Sequence, residues 1–87
     1  MIDRSVLREH VAGLIAAASD GALSAAEALL PDASLTELGL NSLGVLRLID
    51  VIDAEYGIDV APNGMTPPDS IDALVDRMEH GGLRLTD

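Results

Sequence analysis

The sequence predicts an all-α fold: a small helical bundle of three main helices plus one short helix or turn. Three observations carry this. Apolar residues recur at helical spacing in three separate runs. The hydrophobic content is 48% and almost wholly aliphatic, with Tyr56 the single aromatic, which suits helices packed on helices. Each run is also bounded by residues that start or stop helices. At 87 residues the chain is read as one domain, residues 1–87. A chain this short buries only a little over half of its unfolded surface, so modest stability is expected.

The first helix is expected from residue 3 to about residue 18. Asp3 or Ser5 can cap it, and Leu7, Val11, Leu14, Ile15 and Ala18 form one buried stripe. Gly13 weakens this helix by about 1 kcal/mol relative to alanine. Asp20-Gly21 ends it. A long connection then runs to Asn41, and connections of that length are often functional. Ser24 can cap a short helix from Ala25 to Leu30, which Pro31-Asp32 breaks. Leu35, Leu38 and Leu40 are spaced to pin the end of this connection onto the bundle.

Asn41 and Ser42 sit where that loop becomes the second helix, expected from Ser42 to Tyr56. Either residue can accept an orphan N–H of the first turn. Val45, Leu48, Ile49, Ile52 and Tyr56 form the inward face, and Gly57 stops the helix. Leu43 and Leu46 fall outside that stripe, beside Arg47 and Asp50. On periodicity alone they read equally as half-buried residues or as a small apolar patch rimmed by charge. The arrangement puts a hydroxyl, Ser42, at the positive end of a helix dipole.

Ile58 and Val60 continue apolar. Ala61-Pro62-Asn63-Gly64 reads as a turn. The stretch from Met65 to Asp69, with Pro67-Pro68, has room for a single helical turn at most. Ser70 caps the last helix, Asp72 complements its N-terminus, and Ile71, Leu74, Val75 and Met78 are its buried stripe. Gly81-Gly82 terminates it, leaving Leu83 to Asp87 as a short tail.

The stretch Leu38-Gly39-x-Asn41-Ser42-Leu43, followed by Leu46, Leu48, Ile49, Ile52, Asp53 and Tyr56-Gly57-Ile58, resembles the attachment site of acyl carrier proteins. The spacing on to Ser70-Ile71-Asp72-Ala73-Leu74 also fits that family's last helix. In the family, the serine after a Leu-Gly-x-Asp pattern receives a 4′-phosphopantetheine arm from coenzyme A, and Ser42 is the matching position. The resemblance implies a non-enzymatic carrier of thioester-bound acyl groups. Its implied partners are a phosphopantetheinyl transferase and acyl-loading and acyl-processing enzymes. By the same resemblance Asn41, Leu43, Leu46, Arg47 and Asp50 are partner-docking positions, and a brief third helix is expected near Met65–Asp69. The aliphatic core is also expected to open between the second and third helices to shelter an acyl chain.

This sequence departs from the family at Asn41, where aspartate is usual, and at Arg47, where the helix is usually acidic. Asn41 can still cap the helix, so the fold tolerates it while one negative charge beside the arm is lost. With Asp50, these departures favour polyketide or other specialised metabolism over bulk fatty acid synthesis. Leu38-Gly39-Leu40-Asn41-Ser42 lacks the double glycine common before the serine of peptidyl carriers, so an aminoacyl carrier is the second reading. A non-covalent acidic helical adaptor is the third.

Fifteen acidic and five basic residues, all five arginine, give a net charge of −10. That field disfavours nucleic acid and anionic membrane surfaces and favours partners with basic docking patches. There is no cysteine, which excludes disulfides and thiolate metal sites. No apolar run approaches the roughly 20 residues that span a bilayer, and Asp3, Arg4, Arg8 and Glu9 interrupt any signal-like N-terminus. A discrete, monomeric, cytoplasmic protein is therefore expected, with Met1 and the lack of flanking linkers taken in the same sense. His10 and His80 lie on separate helices and read as solvated. No Gly-x-Ser-x-Gly elbow, EF-hand loop or phosphate-binding glycine loop is present, so neither catalysis nor metal binding is expected.

Overall fold

The computed structural model describes residues 2–86. Three long helices dominate: α1 (Arg4–Ala18), α4 (Ser42–Tyr56) and α5 (Ile71–His80). Between α1 and α4 lie two four-residue helices, α2 (Ala25–Ala28) and α3 (Leu35–Leu38). A 3-10 turn spans Pro62–Gly64. The predicted bundle therefore forms, and the short helix expected after Ser24 is present, ending at Ala28 rather than Leu30; α3 is the helix not expected. Both short helices follow from local cap chemistry. Ser24 and Glu27 close a reciprocal capping box on α2, and the Ser34 hydroxyl accepts the Glu37 N–H on α3.

Asp3, rather than Ser5, caps α1. Its carboxylate accepts the Ser5 N–H at 2.9 Å and the Ser5 hydroxyl at 2.7 Å. The Ser5 hydroxyl, followed by its backbone N–H, holds the Asp3 pKa below the usual carboxylate value. A depressed folded-state pKa means the cap's contribution is present above the unfolded value and lost as pH falls through the folded one. Urea titrations across the acid limb are expected to show a shallower pH dependence for Asp3→Asn than for wild type. An unchanged slope would show that other carboxylates govern it.

The α1 stripe is buried as predicted, apart from half-buried Leu14, and Ala12 joins it. α1 is the central helix, packing against α2, α4 and α5. Leu23, Leu35, Leu40 and Leu48 join the core from the middle of the chain, and Ile52, Ile58, Val60, Ile71, Leu74, Val75 and Met78 from its second half. Gly13, by contrast, is exposed with nothing within 4 Å of where a Cβ would stand. Gly13→Ala is expected to raise stability by about 0.5–1 kcal/mol, read as a higher urea midpoint at unchanged slope. A lower midpoint would show that the glycine serves a packing purpose.

The region after α4 differs from expectation. The segment 65–69 is extended, and the short helical turn lies upstream at Pro62–Gly64. Proline starts that turn, and Asn63 (φ +54°) takes the left-handed conformation that asparagine tolerates. Downstream, Pro67-Pro68 biases the chain away from helix. The short tail after α5 is docked. Ile2–Asp3 (β1) pairs in parallel with Leu85–Thr86 (β2), and the Ile2 N–H donates to the Arg84 carbonyl at 2.9 Å. Asp87, the last residue of that tail, and Met1 lie outside the described residues.

Charge fastens α1 to α5. Arg4 Nη2 lies 2.7 Å from Asp76 Oδ1, and Arg8 Nε lies 2.9 Å from Asp72 Oδ1. These half-exposed pairs contribute modestly, on the order of 0.2–1 kcal/mol each. His10 is exposed as predicted, but it also reaches α4. Its Nε2 lies 3.2 Å from Glu55 Oε2, and its ring packs in a T-shaped arrangement with Tyr56, the ring centroids 6.0 Å apart.

Candidate functional site

The loop-to-helix junction at Ser42 is built by its neighbours. Gly39 ends α3 with φ +127°, a conformation that favours glycine, and a Cβ there would approach Ala22 at 3.3 Å. Leu40 then drops into the core, 3% exposed. Asn41 is extended (φ −83°, ψ 177°), and its Oδ1 accepts the Gly44 N–H at 2.8 Å. Sequence left open which of Asn41 and Ser42 is the cap; Asn41 takes the role. Ser42 becomes the first residue of α4. Its side chain is exposed, and among the described residues its hydroxyl has no hydrogen-bond partner.

The first turn of α4 is held close against α1. Gly44 is buried, and a Cβ there would stand 2.7 Å from Leu40 Cδ1 and 3.0 Å from the Ala18 carbonyl oxygen. Only the smallest side chain permits this approach, so the helix start is anchored from below while Ser42 faces water. The N–H groups of Ser42 and Leu43 have no partner within the helix, as for any first turn. They point, with the positive end of the dipole, to the side where an anionic group on Ser42 would lie.

An open groove of ≈570 Å³ adjoins the serine, lined by Thr36, Ser42, Val45, Leu46, Thr66, Pro67, Pro68 and Asp69. Its far wall is the extended 65–69 segment, and Asp69 clamps that wall to α3. Asp69 Oδ1 accepts the Thr36 N–H at 3.0 Å, and Oδ2 accepts the hydroxyls of Ser34 and, at 3.1 Å, Thr36. The Leu35 N–H donates to the Asp69 carbonyl at 2.8 Å. Sequence reading did not find Thr36, Thr66 or Asp69. The Ser34-x-x-Glu37 spacing could have located α3. Nothing local could have paired it with Asp69, 33 positions on from Thr36.

The other predicted docking residues share one face of α4. Leu43 and Leu46 are 55% and 59% exposed, which excludes the half-buried reading, and Arg47 and Asp50 are exposed beside them. Ser42 lies at one border of this face and Arg47 at the other. A second, smaller groove of ≈230 Å³ runs along the Arg47 border, lined by Leu14, Ala17, Ala18, Arg47 and Val51. His80 is remote in role: its Nδ1 lies 2.8 Å from the Asp76 carbonyl oxygen within its own helix. Among the described residues no cluster of three or more metal-binding side chains exists, and no helix is long and apolar enough to cross a membrane.

A family model described as phosphopantetheine attachment site matches residues 6–78 of the chain. No curated protein and no solved structure matches it.

Proposed function

The chain belongs to the phosphopantetheine attachment site family, and we propose that Ser42 is the residue that carries its arm. The family's prosthetic group is 4′-phosphopantetheine, and its domains are generally non-catalytic carriers of acyl groups that work with a phosphopantetheinyl transferase and acyl-processing enzymes. The observation that carries the Ser42 reading is the division of labour at the junction. Asn41 closes the helix end, so the Ser42 hydroxyl is left exposed and uncommitted.

The residues suit the group. Ser42 Oγ forms a phosphoester bond to the pantetheinyl phosphorus as the pyrophosphate bond of coenzyme A breaks. Adenosine 3′,5′-bisphosphate leaves, and the serine proton passes to the transferase. The first-turn N–H groups of α4 then stabilise the phosphodiester charge. The thiol at the arm's end supplies the thioester linkage to the cargo. The groove between Val45, Leu46 and the 65–69 wall is placed to cover an aliphatic cargo. On binding its acyl form, amides of Val45, Leu46, Thr66 and Asp69 are expected to shift in NMR spectra. Shifts confined to Asn41–Leu43 would count against shelter.

The protein acts in this reading as a discrete single-domain carrier in polyketide or other specialised metabolism, with docking through Leu43, Leu46, Arg47 and Asp50. Asn41 and Arg47, where carriers usually have acids, favour that assignment. The net charge of −10 favours partners with basic patches, whose long-range attraction speeds a brief encounter. The deciding experiment is intact mass after incubation with coenzyme A and a transferase. Wild type is expected to gain one phosphopantetheinyl group. No gain with any of several transferases would favour a non-covalent adaptor instead.

A further inference from the structure

We infer that a transferase able to modify this chain efficiently places a carboxylate opposite Arg47, within an otherwise basic docking surface. The inference rests on the Ser42 reading and adds the chemistry of the partner.

Of the five arginines, three are engaged inside the fold. Arg4 and Arg8 pair with Asp76 and Asp72, and Arg77 Nη1 donates to the Val60 carbonyl at 2.7 Å. Arg84 is exposed beside the β1–β2 pairing, where the chain ends meet. Arg47 is exposed on α4 and makes no ion pair among the described residues. It therefore stands as a solitary positive charge on the face that borders Ser42.

Any enzyme that works on the end of a long arm can dock at a distance. The transferase cannot, because it must bring its reacting atoms to Ser42 Oγ itself. A specific interface covers about 800 Å² per partner, a disc roughly 16 Å in radius. Arg47 lies five positions along α4, only about 7.5 Å of helix rise from Ser42. It falls inside the footprint. A basic surface that matches the overall charge of this chain would press like charge against Arg47, which is costly once water is excluded. A carboxylate at that one point removes the clash and makes Arg47 a contact. The adjoining groove of Leu14, Ala17 and Val51 gives an apolar side chain next to that carboxylate a seat.

The test uses a panel of purified transferases with coenzyme A, following phosphopantetheinylation of the full chain by intact mass. For the most efficient transferase, Arg47→Glu is expected to lower kcat/KM about tenfold or more, chiefly through KM, with Arg47→Met between the two. Arg84→Glu makes the same change in net charge at the far end of α1, and it is expected to stay within about twofold of wild type. Changing the opposing transferase carboxylate to lysine is expected to restore Arg47→Glu. Circular dichroism checks that each variant is folded. Equal losses for Arg47→Glu and Arg84→Glu, or an Arg47→Glu chain modified as fast as wild type, would overturn the inference and leave the Ser42 reading standing. A wild-type chain that gains no mass with any transferase would overturn both.

Discussion

Ser42→Ala is expected to abolish phosphopantetheinylation while leaving stability within about 0.5 kcal/mol of wild type. The first part is chemical, since alanine has no oxygen to form the phosphoester. The second part follows from position. Ser42 is the first residue inside α4, exposed, with no hydrogen bond from its hydroxyl among the described residues. Alanine is the best helix former, so the helix loses nothing. Asn41→Ala is the matched control and should behave in the opposite way. It removes the acceptor of the Gly44 N–H and is expected to cost about 1 kcal/mol, yet the serine hydroxyl remains available. Intact mass and urea denaturation on the two variants separate capping from attachment. A Ser42→Ala protein destabilised by more than about 1 kcal/mol would mean that the hydroxyl serves the fold after all.

The second large effect is on stability. Leu35→Ala is expected to cost about 2–5 kcal/mol, because the side chain is 1% exposed and its removal leaves a cavity. For a domain this size that is a large share of the total, so the melting temperature should fall by about 10 °C or more. Leu35 starts α3, and its own N–H is bonded to the Asp69 carbonyl. Loosening it should therefore also loosen the wall of the groove beside Ser42. Leu43→Ala is the contrast: the same residue type, 55% exposed, expected to change stability by less than about 0.5 kcal/mol. A Leu35→Ala cost under about 1 kcal/mol would show that α3 does not anchor the loop.

That contrast explains what could be read without coordinates. Leu35 was legible as a pin because it belongs to a spaced set with Leu38 and Leu40. Leu43 and Leu46 were ambiguous, because a residue at the margin of a helical stripe can face either way. Its burial depends on what packs beside the helix, and neither α1 nor the 65–69 segment covers that face. The same logic applies to the short elements. The Met65–Asp69 turn was misplaced because proline-rich sequence limits helix without saying where the neighbouring turn closes. The docking of the tail is not legible because two-residue β pairing has no local signature.

What the amino-acid sequence determined by itself is what operates over about four residues. That includes the three helices, their candidate caps and their stops, the inward stripes, and a serine at the head of α4. Cap oxygens, apolar period and glycine conformations all act at that range, and they suffice to place those features. Tertiary structure alone decided that Asn41 and not Ser42 bonds the helix end. It also decided that Asp69 draws the 65–69 segment against α3 to form a groove, that α1 is clasped by Asp72 and Asp76, and that Arg47 makes no ion pair among the described residues. The last three depend on which distant residues the chain path brings within hydrogen-bond reach, and closing a loop of 33 residues leaves no periodic trace in the residues it joins, whereas the cap is a contact three residues long that either residue type can make.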